Sequence, residues 1–130
     1  MARPVAYDAS VLLALILDEP GSERARQSLA DGVISSVNLS EVIATLVSRG
    51  ATSADVSALI EDLPLEVVPF TTADAETAGL LRSPTKAFGL SLGDRACLAL
   101  GRRFEAHILT ADRAWEKLTD VLAGSVELIR

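Results

Sequence analysis

The sequence predicts an α/β protein in which a mostly parallel sheet of about five strands carries helices on both faces. Short apolar segments typical of buried strands alternate along the chain with segments of helical periodicity. A length of 130 residues suits one hydrophobic core, so we expect a single domain over residues 1–130. The composition is 49% hydrophobic but only 4% aromatic, which favours helices on a buried sheet over an aromatic platform for single-stranded nucleic acid.

The first half of the chain predicts three strands and four helices. The strands are short apolar runs at Pro4–Tyr7, Val33–Ser36 and Leu65–Val68. The helices have helical spacing or a capping residue at their start and are expected at Ser10–Leu17, Ser22–Ala30, Asn38–Ser48 and Ser53–Leu63. Predicted helices end near Pro20-Gly21, Gly32 and Gly50, because proline and glycine interrupt regular structure.

The second half continues the alternation. Helices are predicted at Thr72–Leu81, from a Ser91 cap to about Leu100, and at Arg113–Leu118. Strands are predicted at His107–Thr110 and Val126–Ile129, and a loop at Arg82–Lys86. Strands separated by helices imply parallel pairing through right-handed crossovers.

Charge and targeting signals narrow the function classes. The net charge of −6 argues against tight non-specific binding of nucleic acid, which depends on Lys and Arg. The single cysteine, Cys97, cannot form an internal disulfide, and the N-terminus lacks a secretory pattern. The longest apolar run, Val11–Leu17, is far short of the roughly 20 residues that span a membrane. We therefore expect a cytoplasmic protein without a membrane span.

Four acidic residues occupy positions where a ligand site is expected. Asp8 and Asp112 directly follow predicted strands, whereas Glu41 and Asp94 fall in the first turns of predicted helices. Ligands of open α/β sheets bind beyond the carboxyl ends of strands, where the strand order reverses. All four acids are therefore expected to face one cleft.

Each acid taken alone has an equally good structural explanation. Asp8 and Asp112 fit the N-cap position of the helices that follow them. Asp94 lies three residues after Ser91, and Glu41 three residues after Asn38, as in a capping box. The joint pattern of the four, rather than any one of them, is what favours a functional site.

Carboxylates gathered in one cleft repel one another unless a cation neutralises them. The candidate ligands are hard oxygens, while the softer ligands His107 and Cys97 are expected in the core. This donor set favours Mg²⁺ or Mn²⁺ over zinc. A cation held by few protein ligands keeps positions for water and phosphate, which hydrolysis of a phosphodiester requires.

Four short motifs carry a family resemblance over nearly the whole chain. They surround the four acids at residues 7–13 (YDASVLL), 39–42 (LSEV), 90–94 (LSLGD) and 109–113 (LTADR). In their order, spacing and placement they resemble those of PIN-domain nucleases, especially the VapC-like toxins of bacterial toxin-antitoxin pairs.

The resemblance implies a three-layer fold with strand order 3-2-1-4-5 and a metal-dependent ribonuclease. It assigns catalytic and metal-binding roles to Asp8, Glu41, Asp94 and Asp112, and it places the hydroxyls of Ser10 and Thr110 beside the site as secondary residues. It also implies a homodimer, and a small antitoxin whose tail covers the acidic cleft. An antitoxin arginine entering that cleft would suit the acidic charge.

Basic residues near the motifs are candidates for holding RNA phosphates, namely Arg95, Arg113 and Lys117, although solvated helix faces explain them equally well. Trp115 is expected to be a packing anchor.

Two other phosphotransfer classes fit the sequence poorly. Haloacid-dehalogenase-like phosphatases need a second Asp where the chain has Ser10, and receiver domains need an Asp where it has Phe70-Thr71. A degenerate PIN domain that serves only as a protein-interaction module is the main alternative to the nuclease. The sequence does not specify which RNA would be cut.

Overall fold

A computed structural model describes residues 3–120 and 125–130. Its centre is a five-stranded sheet in the order β3-β2-β1-β4-β5, and every neighbouring pair is parallel. The strands are β1 (Val5–Tyr7), β2 (Gly32–Ser35), β3 (Glu66–Val68), β4 (His107–Thr110) and β5 (Val126–Leu128). The predicted fold class and strand order are therefore confirmed.

The connections between the strands are helical. The α-helices are α1 (Ala9–Leu17), α2 (Ser22–Gln27), α3 (Ser36–Ser48), α4 (Ser53–Glu61), α5 (Thr72–Leu80) and α6 (Leu92–Phe104). Short 3-10 helices occupy Leu29–Asp31, Lys86–Phe88 and Arg113–Asp120. In the described part of the chain, no helix is long and apolar enough to cross a membrane.

Two hydrophobic cores lie on opposite faces of the sheet, as the alternation of a strand requires. Val5 and Tyr7 of β1 face a core shared with α1, α2 and α3. Ala6, between them, faces the other core, which contains α6 and the fully buried Trp115. Helices thus cover both faces, and Trp115 is a packing residue as expected.

The expected start of α3 was wrong, whereas α2 and α4 begin at Ser22 and Ser53 as predicted. Ser35, the last residue of β2, caps α3 by accepting from the amide of Val37, so α3 begins before Asn38. Thr52, not Ser53, caps α4. The N-cap of α2 is Gly21, at φ 96°, where its hydrogen gives space to Ile129 of the C-terminal segment.

The C-terminal strand is held to α2 by a polar cluster of Arg24, His107 and Glu127. Arg24 Nε lies 2.6 Å from Glu127 Oε2, and His107 Nε2 lies 2.8 Å from Glu127 Oε1. Arg24 lowers the pKa of Glu127 mainly through its hydrogen bond. His107 is therefore not the core residue expected from its sequence, since it begins β4 and is partly exposed.

The strand order positions the candidate site. β1 lies between β2 and β4, so the chain moves outward from β1 in both directions, and the switch point is the gap between β1 and β4. The carboxyl ends of both strands meet there, with Tyr7 opposite Leu109 in the register. The N-termini of α3 and α6 approach the same edge, because α3 follows β2 directly and α6 packs on β1, β2 and α3.

Candidate active site at the sheet switch point

Asp8 is the most deeply buried of the four acids. It directly follows β1, is only 5% exposed, and donates its backbone N–H to Leu109 of β4 at 3.1 Å. Its Oδ2 accepts hydrogen bonds from Ser10 Oγ at 2.7 Å and from Thr110 Oγ1 at 3.0 Å. Asp8 occupies the N-cap position of α1, but its side chain makes no capping hydrogen bond. Capping therefore does not explain this aspartate.

Burial raises the pKa of Asp8 to about 6, because removal from water disfavours the charged form. The hydroxyls of Ser10 and Thr110 act in the opposite direction by hydrogen bonding to the carboxylate, and the negative charges of Asp94 and Glu41 raise the pKa further. No cationic side chain acts on this carboxylate among the causes of the shift. A cation placed nearby would stabilise its charged form.

Glu41 lies in the second turn of α3, one turn later than expected, because the helix begins at Ser36. Its carboxylate occupies the space beside the Cα of Gly93, where any β-carbon would overlap it. Asn38 Nδ2 donates to Glu41 Oε1 at 2.8 Å. The pKa of Glu41 is raised, chiefly by desolvation and further by Asp94, although the Asn38 hydrogen bond lowers it.

Asp94 has the structural role that its spacing from Ser91 predicted. Ser91 caps α6 by accepting from the amide of Asp94 at 3.1 Å, and Asp94 Oδ2 accepts from the amide of Ser91 at 2.9 Å. This capping box fixes one carboxylate oxygen at the start of α6 and leaves Oδ1 without a hydrogen bond from the described residues.

Three of the four acids lie in one electrostatic neighbourhood. Asp94 and Glu41 both act on Asp8, and all three raise the pKa of the buried Cys97 thiol, although desolvation is the larger cause there. Asp112 is not among the charges that act on Asp8. Its Oδ1 accepts from the amide of Ala114 at 2.9 Å, which is the capping role considered for it.

Asp112 is nevertheless connected to the site through Thr110. The Thr110 hydroxyl donates to Asp8 and accepts from the amide of Asp112 at 3.1 Å. Ser10 makes a parallel link, since its hydroxyl donates to Asp8 and accepts from the amide of Ala111 at 2.9 Å. The two hydroxyls thus tie the turn after β4 to the end of β1.

The three basic residues differ in their surroundings. Arg95 is partly buried and donates from Nη1 to the carbonyl of Ala78 in α5 at 2.9 Å. This contact within the chain favours a structural role for Arg95. Arg113 and Lys117 are exposed in the 3-10 helix after β4.

Sequence reasoning missed Asn38 as a member of this site and considered it only as a helix cap. Asn38 is fully buried. Its Nδ2 donates to Glu41 Oε1 of α3 at 2.8 Å and to the carbonyl of Gly93 in α6 at 2.9 Å. Its spacing of three residues from Glu41 was the available signal, but that spacing also fits a capping box.

The donor set fits a hard divalent cation held by few protein ligands. Asp8, Glu41 and Asp94 each engage one carboxylate oxygen in hydrogen bonds and keep the other without one in the described part of the chain. In residues 3–120 and 125–130, no three His, Cys, Asp or Glu side chains lie together in a group that could hold a metal ion, so at most two such side chains would bind one directly. This arrangement suits Mg²⁺, which usually keeps several waters and takes one or two carboxylates.

Together these features define a parallel α/β protein with a cluster of acidic residues at the switch point of its sheet. Comparison with known families identifies the family more closely. The model of the PIN domain matches residues 5–121, and the chain belongs to the PIN domain family. No curated protein sequence matches the chain significantly.

Solved structures with the same fold include components of toxin-antitoxin complexes. A chain of DNA-bound VapBC from Salmonella typhimurium superposes with a TM-score of 0.78 at 18% identity, over 99% of this chain and 100% of that chain. A chain of a toxin-antitoxin complex from Klebsiella pneumoniae gives 0.74 at 16% identity, over 97% and 98%. A chain of VapBC-5 from Mycobacterium tuberculosis gives 0.61 at 21% identity, over 99% of both. At these identities the likeness establishes the shared fold.

Proposed function

We propose that this protein is a metal-dependent ribonuclease and the toxin of a toxin-antitoxin pair. The observation that carries the nuclease is the buried carboxylate of Asp8 beside Glu41 and Asp94, at the switch point, with no cationic side chain among the groups that shift its pKa. Membership of the PIN domain family supports it, since PIN domains are generally nucleases.

In this proposal Asp8, Glu41 and Asp94 hold Mg²⁺ or Mn²⁺, directly or through water, with the oxygens that their hydrogen bonds leave available. When bound, such a cation would supply a more acidic water at neutral pH and would stabilise negative charge on the phosphate. Ser10 and Thr110 orient the Asp8 carboxylate by donating to one of its oxygens. Asp112, whose amide is held after β4 by Thr110, binds the metal ion either directly or through water.

Binding of RNA phosphates depends on Lys and Arg side chains. This acidic chain has few of them. Arg113 and Lys117 are the basic residues that we assign to this role, because both are exposed close to Asp112 in sequence. Arg95 is a weaker candidate, since its guanidinium is engaged with Ala78.

The toxin assignment rests on the solved relatives, which are described as VapBC and toxin-antitoxin complexes. The partner would be a small antitoxin that places a basic side chain in the acidic cleft. A net charge of −6 and three coupled carboxylates favour such a partner. We also propose a homodimer, which light scattering at micromolar concentration would detect as twice the mass of the chain.

Cleavage of structured and single-stranded RNA by the purified protein tests the nuclease. We expect cleavage with Mn²⁺ and none with chelator. Asp8→Asn should reduce the rate by more than about 100-fold, because it removes a ligand charge at nearly constant size. Thr85→Val serves as the folded control, since Thr85 hydrogen bonds to Leu81 in the connection between α5 and α6. A wild-type rate from Asp8→Asn would contradict the assignment.

Failure of the wild-type protein to bind Mn²⁺ or to cut any RNA would favour the alternative, a degenerate PIN domain that acts as an interaction module. Co-purification with the product of an adjacent small gene would then retain the antitoxin part of the proposal without the enzyme.

A further inference from the structure

Asn38 joins the two helices that carry Glu41 and Asp94. Its side chain is fully buried, and Nδ2 donates to Glu41 Oε1 at 2.8 Å and to the Gly93 carbonyl at 2.9 Å. Gly93 immediately precedes Asp94 in the first turn of α6. One amide group therefore sets the distance between the Glu41 carboxylate and the helix end that presents Asp94.

The two acceptors fix the orientation of the amide. Both Nδ2 neighbours are oxygens that can only accept, so the flipped amide would place Oδ1 against a carboxylate and a carbonyl. In the orientation observed, Oδ1 is buried and has no hydrogen-bond partner among the residues that the structure describes. A buried unpaired acceptor destabilises a fold, and a leucine of similar volume would avoid that loss. Packing alone therefore gives no reason for asparagine here.

A second contact, with Gly93, also confines the Glu41 carboxylate. Gly93 presents only hydrogen toward the carboxylate, and a β-carbon there would overlap it. The Asn38 hydrogen bond occupies Oε1, so Oε2 is the oxygen that remains available. Glu41 lies on the surface of α3, where a long side chain would otherwise sample several rotamers.

We propose that Asn38 is a positioning residue that holds the Glu41 carboxylate against α6 and so presents Oε2 to the metal ion. This inference rests on the proposed function only in taking the species that binds Glu41 Oε2 to be a metal ion. In this arrangement Asn38 does not bind the metal ion itself but orients a side chain that does. Removal of such a supporting hydrogen bond typically weakens metal binding about 10- to 100-fold.

The first test needs neither metal nor RNA. The sequence contains one asparagine and one glutamine, Asn38 and Gln27, so the side-chain amide region of the wild-type nitrogen–proton spectrum holds two pairs of NH₂ signals, and Glu41→Gln adds a third. Gln27 is exposed and provides an internal control. In chelator, we expect the Asn38 pair to exchange slowly with solvent and to shift in Glu41→Gln, while the Gln27 pair does neither. An Asn38 pair that exchanges as fast as that of Gln27, or that ignores Glu41→Gln, would overturn the inference whatever the activity.

The second test is a double-mutant cycle on Mn²⁺ binding, measured by calorimetry on the full chain. We expect Asn38→Leu to weaken binding about tenfold in the wild-type background and less than about twofold in the Glu41→Gln background. Thr85→Val, which removes a buried hydrogen bond elsewhere, should leave the affinity unchanged. Equal losses in both backgrounds would overturn the inference. Wild-type protein that binds no Mn²⁺ would contradict the proposed function, and the amide signals would still decide the position of Asn38.

Discussion

The carboxylate of Glu41 lies in the space beside Gly93 that the β-carbon of any other residue would occupy. Gly93 is buried in the first turn of α6, although glycine is a poor helix former. The close approach of α3, which brings Glu41 next to the start of α6, therefore explains why a helix-destabilising glycine occupies this position.

Gly93→Ala is expected to displace Glu41 and to weaken Mn²⁺-dependent cleavage about 10- to 100-fold. Gly79→Ala is the matched control, because Gly79 also lies in a helix but, outside its own helix backbone and chain neighbours, no atom of the described residues lies within 4 Å of the position that a β-carbon would take. That substitution should stabilise the protein by about 0.5–1 kcal/mol. Cleavage assays and thermal unfolding of both variants check this prediction, and unchanged cleavage by Gly93→Ala would contradict it.

Asp8→Asn is expected to stabilise the metal-free protein at neutral pH. The folded pKa of about 6 exceeds the ordinary 3.8, so ionisation of Asp8 opposes folding. The shift corresponds to roughly 3 kcal/mol as an upper estimate. This penalty is present in full above the folded pKa and disappears as pH falls below the unfolded value.

Unfolding free energies in chelator, measured from about pH 3.5 to about pH 7.5, test this sign. The excess unfolding free energy of Asp8→Asn over wild type should be largest at the highest pH and should vanish at the lowest pH. An advantage that does not depend on pH would show that the charge of Asp8 is not its source.

Asp94→Asn and Asp55→Asn separate capping from metal binding. Each aspartate completes a capping box of the same kind, Asp94 with Ser91 and Asp55 with Thr52. Asp55 is exposed and is not among the charges that act on Asp8 or Glu41. Both variants should lose some stability in chelator, and Asp94→Asn should lose less because its repulsion with Asp8 and Glu41 is also removed.

Only Asp94→Asn should lose RNA cleavage and thermal stabilisation by Mn²⁺. Equal cleavage and equal response to Mn²⁺ in the two variants would mean that Asp94 is a helix cap and nothing more.

Glu127→Gln is expected to destabilise the protein near neutral pH, because Arg24 and His107 both contact this carboxylate. The pKa of Glu127 is lowered in the fold, so its contribution is present above the unfolded value of roughly 4.3 and is lost as pH falls through the lower folded value. Glu66→Gln, at an exposed position in β3, is the control. A destabilisation that persists unchanged at low pH would contradict an ionic origin.

The sequence predicted the elements better than their boundaries. β4 was expected at His107–Thr110 and lies there, because its apolar run has clear limits. α3 begins two residues earlier than expected, because β2 passes into it without a loop and Ser35, Ser36 and Asn38 were all possible caps.

Candidate site residues could be nominated from sequence, but their individual contacts could not. The Ser91–Asp94 capping box is local and was foreseen. The contact of Glu41 with Gly93 joins residues on different helices, and the Asn38 bridge depends on that contact. Tertiary packing alone determines such pairs, so sequence spacing left Asn38 as a helix-capping candidate.

The hydrogen bond from Thr110 to Asp8 spans 102 positions of the chain and has a consequence for synthesis. A nascent chain carries Asp8 and Glu41 long before β4 emerges from the ribosome, but Asp8 then lacks its backbone acceptor at Leu109 and one of its two hydroxyl donors. At about 5–20 residues per second, several seconds separate the first acid from the residues that complete its surroundings. The surroundings of Asp8 are therefore complete only after β4 has been synthesised, which delays any nuclease activity of the nascent chain until then.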